Sequence, residues 1–352
     1  MIGKLVRRPV LGQIRHVRPV PPGSAHGVVA AVYQQMERDF GMLAPPVALH
    51  SPEPPVLAAV WAMLRETLLV PGSAGRGVKE TVAAAVSAAN RCPYCVDVHG
   101  ATMTALGLGP EAAAVEGGRG GGIADPVLRD VVTWAGVPGA PPPGLPAGWL
   151  PELAGVVAVF HYLNRMVSVF LVESPLRPGL SRRARARMLP TFGRLLRFLG
   201  TAEPVPGAAL GLLPAAPGTH RPAWAPAGTV LAATFARAAA TIEDAARTAV
   251  PPAVREVVAA AVGRWDGRPP PLGTEWLDEE LARLPPQDRA AGRLALLTAK
   301  AAYRVDGSTV ARWRERQPAD RALLSLTSWA ALTAAGRLTG LAAGTATAPD
   351  VR

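Results

Sequence analysis

The sequence is poor in cysteine and in aromatic residues. Its 352 residues include two cysteines, and aromatic residues make up 5% of the chain. Two cysteines cannot supply the disulfide framework on which small secreted domains depend. Because 49% of the residues are nevertheless hydrophobic, the core must consist largely of Ala, Val and Leu, which favours helices. Alternation of β-branched with polar residues is also nearly absent, so the sequence predicts an all-α fold without a sheet.

Lysine is almost missing, although the formal net charge is +11. The positive charge comes from arginines that are scattered along the chain, whereas nucleic-acid binders usually gather basic and aromatic residues on one face. The two densest groups are a short cluster at 182–187 and a basic segment at 4–18. We interpret the cluster at 182–187 as a solvated helix start and the segment at 4–18 as a weak candidate for nucleic-acid binding. On balance we expect no binding to nucleic acid.

We expect no secretory leader, because the first residues contain no continuous apolar region followed by a cleavage site. The longest apolar stretch, 153–172, is long enough to span a bilayer but carries His161, Asn164 and Arg165. This combination predicts a buried core helix with one polar stripe. We expect a cytoplasmic protein without membrane association. In that reducing compartment, the two cysteines are expected to be redox-active or metal-binding.

Apolar residues recur at helical spacing in several segments of the first half. They predict helices at 27–40, 55–69, 78–89 and 93–106. Asn90 follows the third of these and is a residue that readily adopts the left-handed cap conformation. Pro93 suits the first position of a helix, which makes Cys92 its N-cap residue.

A weak internal repeat suggests that the chain contains two related halves. Residues 78–91 resemble 254–267, and 160–170 resemble 332–342 at nearly the same separation, which indicates an ancient duplication. The Pro-, Gly- and Ala-rich segment between the halves predicts a linker. The predicted organisation is an N-terminal arm (1–26), a redox domain (27–200), a linker (201–226) and a degenerate second domain without cysteines (227–345).

Both cysteines and one histidine fall within a single short window, "RCPYCVDVH". Cys92, Cys95 and His99 are spaced so that they share one face of the predicted helix. At the start of a helix the unpaired N–H groups and the dipole stabilise a thiolate, and His99 can exchange its proton. Glu80 on the preceding helix has small apolar neighbours, so we expect desolvation to raise its pKa and suit it to proton transfer. Asp97 should point to another face.

This pattern resembles the carboxymuconolactone decarboxylase / AhpD-like alkylhydroperoxidase family. Redox members of that family carry a Glu, about eleven residues, and then Cys-x-x-Cys-x-x-x-His. Here Glu80, eleven intervening residues, Cys92, Cys95 and His99 fit that pattern. The resemblance covers roughly 56–107, and the cysteine-free second half would be a degenerate copy in a tandem-domain member.

The resemblance implies an all-α, AhpD-like helical bundle and a thiol-dependent peroxidase. Carried over, Cys95 would attack the hydroperoxide, Cys92 would resolve the resulting sulfenic acid to a disulfide, and His99 and Glu80 would move protons. The implied partners are a hydroperoxide substrate and a dithiol reductant, either thioredoxin-like or lipoyl, in a homo-oligomer without bound cofactor or metal. Tyr94 stands where the best-known peroxidase of the family has a second histidine, which alters one member of the proton relay.

Three other interpretations of the same residues stay open. Cys92, Cys95 and His99 could bind zinc with Glu80 or His161 as fourth ligand, although structural zinc sites usually pair two ligand turns. The family's other activity would be a cofactor-free decarboxylase or ring-opening enzyme in which Glu and His act as acid and base. A third interpretation is a non-enzymatic redox sensor, in which the disulfide only changes the shape of the protein.

Overall fold

The computed structural model describes residues 11–136, 139–172, 174, 203–216 and 220–346. Within these ranges the regular structure is helical, and the sole β-type pairing is an isolated bridge between Ile14 and Leu171. The all-α prediction is thus confirmed for the described part of the chain. The arginine cluster at 182–187 lies outside the described residues, as does part of the predicted linker.

Eight α-helices lie in the described part of the first half. They are α1 (Gly27–Asp39), α2 (Pro45–Ala48), α3 (Pro54–Leu64), α4 (Arg76–Ala89), α5 (Pro93–Ala105), α6 (Gly109–Glu116), α7 (Pro126–Gly136) and α8 (Leu150–Phe170). Six follow in the second half: α9 (Val230–Ala246), α10 (Pro252–Gly263), α11 (Glu275–Ala282), α12 (Arg289–Ala301), α13 (Gly307–Arg314) and α14 (Asp320–Ala342).

The helix predicted at 55–69 has two parts. Its α-helical part ends at Leu64, and Arg65–Leu69 continue as a π-helix, all five of whose residues are buried. The Arg65 guanidinium donates to the carboxylates of Asp39 and Glu66, both at 2.6 Å. The widened turn therefore holds a fully buried charged cluster, which the apolar spacing of the sequence does not reveal.

Helix α8 is the central element of the core. It packs against α4 on one side and α14 on the other, and most of its residues are buried. The segment Ala147–Phe170 is long and apolar enough to cross a membrane, but 94% of its most apolar window is already covered by protein. The predicted core helix with a polar stripe is what the structure contains, because His161, Asn164 and Arg165 are buried within it.

The repeated sequence segments lie on helices with similar surroundings. Segments 78–91 and 254–267 hold α4 and α10, whereas 160–170 and 332–342 lie in α8 and α14. Helix α3 packs along α9, and α8 packs along α14. Each of these helices thus packs against the helix that has the equivalent place in the other half. Two copies related by a two-fold axis would pack in this way. This arrangement fits the duplication hypothesis and the predicted domain boundaries, which stay predictions.

The segments outside the two helical bundles are packed against them. Leu171 at the end of α8 pairs with Ile14, and Arg15 donates its backbone N–H to the carbonyl of Phe170 at 2.8 Å. In the predicted linker, the carbonyl of Val205 accepts a hydrogen bond from Arg65, and Ala209 is completely buried. Both segments therefore extend the apolar core instead of hanging free from it.

Candidate active site

A tight turn joins α4 to α5 and fixes the position of Cys92. The N–H of Cys92 donates to the carbonyl of Ser87, and the N–H of Arg91 donates to that of Ala88, both at 3.0 Å. These two bonds form a Schellman motif. The left-handed residue is Arg91, with φ of 54°, and not Asn90, whose φ is −79°. The expectation for Asn90 was wrong because the helix continues one residue further before it turns.

Cys92 begins the next helix, as predicted. Its carbonyl accepts the first helical hydrogen bond from the N–H of Val96 at 3.1 Å, and Pro93 occupies the first helical position. Cys95 lies in the first turn of α5. Both thiols are free and buried, with 1% and 3% of their surface exposed. The structure therefore brings the two sulfurs together at a helix N-terminus, where a negative charge is favoured.

The two thiols have opposite pKa shifts. Burial raises the pKa of Cys92, but hydrogen-bonding groups of Cys95, Ser168 and Asn164 outweigh burial and lower it. The hydrogen bond to Cys92 and burial raise the pKa of the Cys95 thiol. The two shifts therefore favour Cys92 over Cys95 as the site of a negative charge when the dithiol loses one proton.

Glu80 and His99 form a buried pair between α4 and α5. His99 Nδ1 lies 2.6 Å from Glu80 Oε2, and the His99 ring contacts Phe160 edge-on at 4.5 Å between centroids. The other carboxylate oxygen of Glu80 accepts a hydrogen bond from Arg76 Nε at 2.8 Å. His99 lies one turn after Cys95 on α5, so the structure groups all four predicted site residues around the α4–α5 junction.

The expectation that the pKa of Glu80 is raised was wrong. Burial does raise it, but the charges and hydrogen bonds of Arg76 and His99 lower the pKa of Glu80 to about 2. Glu80 is therefore ionised at neutral pH and orients His99 instead of donating protons itself. Arg76 was not identified from the sequence, although it stands four residues before Glu80 on the same helix, which is the spacing of an ion pair.

A buried polar network from α8 completes the surroundings of Cys92. The Asn164 amide donates to the Ser87 hydroxyl at 3.0 Å and accepts from the Asn90 amide at 2.9 Å. The Asn90 side chain also contacts His161 Nδ1 at 3.0 Å. Sequence analysis identified the polar stripe of α8 but not its role here, because the residues lie about seventy positions from the cysteines and meet them only in the fold.

Tyr94 and Asp97, also on α5, are both buried. The Tyr94 hydroxyl donates to Gln13 Oε1 at 2.8 Å, and burial and the two cysteines raise the Tyr94 pKa. Tyr94 is therefore a neutral residue that anchors the N-terminal arm. Asp97 accepts a hydrogen bond from Ser174 at 2.8 Å, and its charge contributes to the raised pKa of Cys95.

The corresponding region of the second half lacks these features. Glu256, which the sequence repeat aligns with Glu80, is exposed. Among the described residues, no group of three or more His, Cys, Asp or Glu side chains is placed to hold a metal ion. The zinc interpretation thus has no geometric support in the described part of the chain.

Comparison with known proteins identifies the family. The sequence profile of the carboxymuconolactone decarboxylase family matches residues 54–137, which contain α3 to α7. A protein of Mycobacterium tuberculosis named alkyl hydroperoxide reductase is 39% identical over 329 residues, which cover 92% of this chain and 94% of that protein. No solved structure gave a significant match. The chain therefore belongs to the carboxymuconolactone decarboxylase / AhpD-like alkylhydroperoxidase family.

Proposed function

We propose that the protein is a thiol-dependent alkyl hydroperoxide reductase that cycles between a Cys92–Cys95 dithiol and a disulfide. The observation that carries this proposal is the buried thiol pair at the start of α5, next to a histidine held by an ionised Glu80. The name of the Mycobacterium tuberculosis relative supports the same activity. An acid–base decarboxylase would use Glu80 as a proton donor, which a pKa of about 2 does not favour.

The catalytic cycle can be written with all atoms balanced. Cys95 passes its proton to the Cys92 thiolate, and the Cys95 thiolate attacks the terminal peroxide oxygen. The S–O bond forms, the O–O bond breaks, and protonated His99 gives its proton to the departing alcohol. The Cys92 thiol then attacks the Cys95 sulfenic acid, which forms the disulfide and releases water. Glu80 holds His99 through Nδ1, which leaves Nε2 for proton transfer.

Reduction of the disulfide requires an external dithiol. A dithiol donor, thioredoxin-like or lipoyl, exchanges with the disulfide, becomes oxidised itself, and returns the dithiol and the His99 proton to their starting state. We place this cycle in the cytoplasm, where thiols are kept reduced. The homo-oligomer implied by the family resemblance is part of the same proposal and can be tested by light scattering.

Single-turnover measurements test both the activity and the roles of the cysteines. Reduced wild-type protein should consume cumene hydroperoxide with dithiothreitol as donor and lose about two mass units on oxidation. Cys92→Ser should consume one equivalent of peroxide and stop at a sulfenic acid that dimedone traps on residue 95. Cys95→Ser should consume none, whereas Thr104→Ser on the same helix serves as the matched control.

Two outcomes would contradict the proposal at different levels. Unchanged turnover in both Cys95→Ser and Cys92→Ser would exclude the dithiol mechanism. Peroxide consumption by Cys95→Ser together with an inactive Cys92→Ser would keep the peroxidase but exchange the roles of the two thiols.

A further inference from the structure

Two adjoining cavities open between the halves of the chain, next to the thiol pair. The smaller one, of about 30 Å³, is called the inner cavity here because its lining includes Asn164 and Ser168, the two α8 residues that interact with Cys92. Its opposite wall comes from the second half and includes Trp265, Lys300 and Tyr303. The outer cavity, of about 270 Å³, shares part of this lining. The cysteine-free half therefore builds one wall of a cavity whose other wall includes the residues that interact with Cys92.

The inner cavity contains a buried positive charge without an acidic partner. Arg165 is 5% exposed, and its side chain donates to the carbonyls of Ala299 and His161 at 2.8 and 2.6 Å and to the Asn90 side chain at 3.3 Å. Its Nη2 forms no hydrogen bond with any described residue. Burial lowers the pKa of Arg165 to about 9, so the guanidinium is still charged at neutral pH. A buried cation of this kind favours an anion in the adjoining space.

Lys300 supplies a second cation on the same wall. Its ammonium lies 5.9 Å from the Trp265 ring centroid and 5.3 Å from that of Trp276, and no described carboxylate lies within ion-pair distance of it. Burial lowers the pKa of Lys300, and the charges of Glu280 and Asp266 raise it. Neither acid forms an ion pair with Lys300, since Glu280 is paired with Arg264 at 2.8 Å and Asp266 with Arg268 at 3.7 Å. Lys300 and Arg165 thus line the same cavity, and neither forms an ion pair with a carboxylate of the described residues.

The outer cavity is suited to an apolar group. Its lining includes Trp134, Val157, Leu338 and Ala342. A ligand that places an anionic group at the inner end would therefore lay an apolar body along these side chains, as small-molecule sites commonly combine a few fixed polar groups with an apolar wall. The pair of cavities has the shape and polarity for an amphipathic carboxylate.

We propose that the cleft between the halves binds a monocarboxylate, with the carboxylate between Arg165 and Lys300 and the apolar part in the outer cavity. The role of this site in the reaction rests on the proposed function. Two sources share this chemistry: a hydroperoxide that carries a carboxylate, and a dithiol donor that carries one. Charge-assisted hydrogen bonds from guanidinium and ammonium groups select both against their neutral analogues.

Binding of octanoate tests the site without any turnover. Titration calorimetry on the full-length protein should show octanoate binding, which Lys300→Gln weakens about tenfold, as expected for the loss of one charge-assisted contact. Arg165→Lys provides a second variant, since it keeps the charge but loses the fork of donors. Arg316→Gln, at an exposed position elsewhere, should bind like the wild type. Equal affinity in wild type and Lys300→Gln, or no binding at all, would overturn the inference.

Matched reactant pairs then assign the source of the carboxylate. The first pair is linoleic acid hydroperoxide and its methyl ester, for which kcat/KM is compared with dithiothreitol as donor. The second pair is dihydrolipoate and dihydrolipoamide, for which kcat/KM is compared with cumene hydroperoxide as substrate. If the acid of the first pair is preferred and the preference disappears in Lys300→Gln, the site binds the carboxylate of the hydroperoxide. The same result in the second pair shows that the site binds the carboxylate of the dithiol donor. No preference in either pair would overturn the inference. Octanoate binding in a protein that lacks peroxidase activity would instead reject the proposed function and keep the site.

Discussion

At the scale of single residues, the asymmetry between the two thiols is the feature with the clearest chemical consequence. Cys92 receives hydrogen-bonding groups from Cys95, Ser168 and Asn164, which lower its pKa, whereas Cys95 is buried next to that negative charge. Cys92 should therefore lose its proton at a lower pH than Cys95.

This order of deprotonation can be measured by thiolate absorbance at 240 nm. In Cys95→Ser the remaining Cys92 should titrate at a lower pH than Cys95 does in Cys92→Ser, because serine at position 95 can still donate a hydrogen bond to the Cys92 sulfur. The two variants control for each other, since each contains one thiol. The reverse order of the two midpoints would contradict this assignment.

The ionised Glu80 predicts a pH dependence of stability. Because its pKa is lowered from 4.5 to about 2, its contribution to stability is fully present above pH 4.5 and is lost as the pH falls toward 2. The shift corresponds to roughly 3 kcal/mol. Denaturant unfolding should show Glu80→Gln less stable than the wild type at pH 7, with the two curves converging at low pH. Glu116→Gln, an exposed carboxylate change, should parallel the wild type; a constant gap for Glu80→Gln would refute the argument.

The sequence predicts those site residues that lie close to one another along the chain, and it does not predict the partners that come from distant segments. Glu80, Cys92, Cys95 and His99 fall within one short motif, and the structure places them around one helix junction. Sequence analysis did not provide the partners that set their pKa values. Asn164 lies on α8, and its approach to Cys92 depends on how helices pack, which local spacing does not encode.

At the scale of the helix, two glycines in the interiors of α8 and α14 have different surroundings. A Cβ at Gly155 would lie 2.8 Å from Thr67 in the π-helix and 3.3 Å from Leu231 in α9, whereas a Cβ at Gly336 would meet nothing within 4 Å. The close approach at Gly155 therefore joins α8 both to the first half and to the second.

Gly→Ala at each position tests this difference with identical chemistry. Gly336→Ala should stabilise the protein by about 0.5–1 kcal/mol, since alanine favours the helix. Gly155→Ala gains the same propensity but overpacks the contact, at a cost of about 1–3 kcal/mol, so its net effect should be destabilising. Thermal unfolding measures both, and a rise of Tm in Gly155→Ala would show that α8 and the π-helix separate easily.

The ends of helices were less predictable than their centres. The sequence placed the end of α4 correctly to within one residue, but it favoured Asn90 for the left-handed position that Arg91 occupies. An arginine there is uncommon, because a side chain with a Cβ is strained at positive φ. Its guanidinium lies 5.2 Å from the Tyr303 ring in the second half, a tertiary contact that no local rule supplies.

At the scale of the whole molecule, the two halves bury each other's principal helices. Helix α8 is covered by α14, and α3 is covered by α9. Either half alone would expose long apolar faces, so we infer that the halves fold as one unit.

Separate expression of the two halves tests this dependence. When 1–202 and 203–352 are produced together as separate chains, they should purify as a one-to-one complex, because the α3–α9 and α8–α14 contacts survive the cut. The segment 1–202 alone should aggregate or pair with itself. A soluble, folded and monomeric first half would contradict the inference, and size-exclusion chromatography with light scattering distinguishes these results.

The contact of α8 with α14 also has an evolutionary consequence. In a symmetric pair of identical subunits, each substitution appears on both sides of the axis, so a change that helps one site alters the other as well. In this chain, α8 and α14 are different segments of one sequence, so a substitution in one leaves the other unchanged. The second half is therefore free to change side chains such as Lys300 and Trp265 for the benefit of a neighbouring site that it does not itself contain. The first half can keep the reactive groups, while selection changes the side chains of the second half that determine which molecules bind next to them.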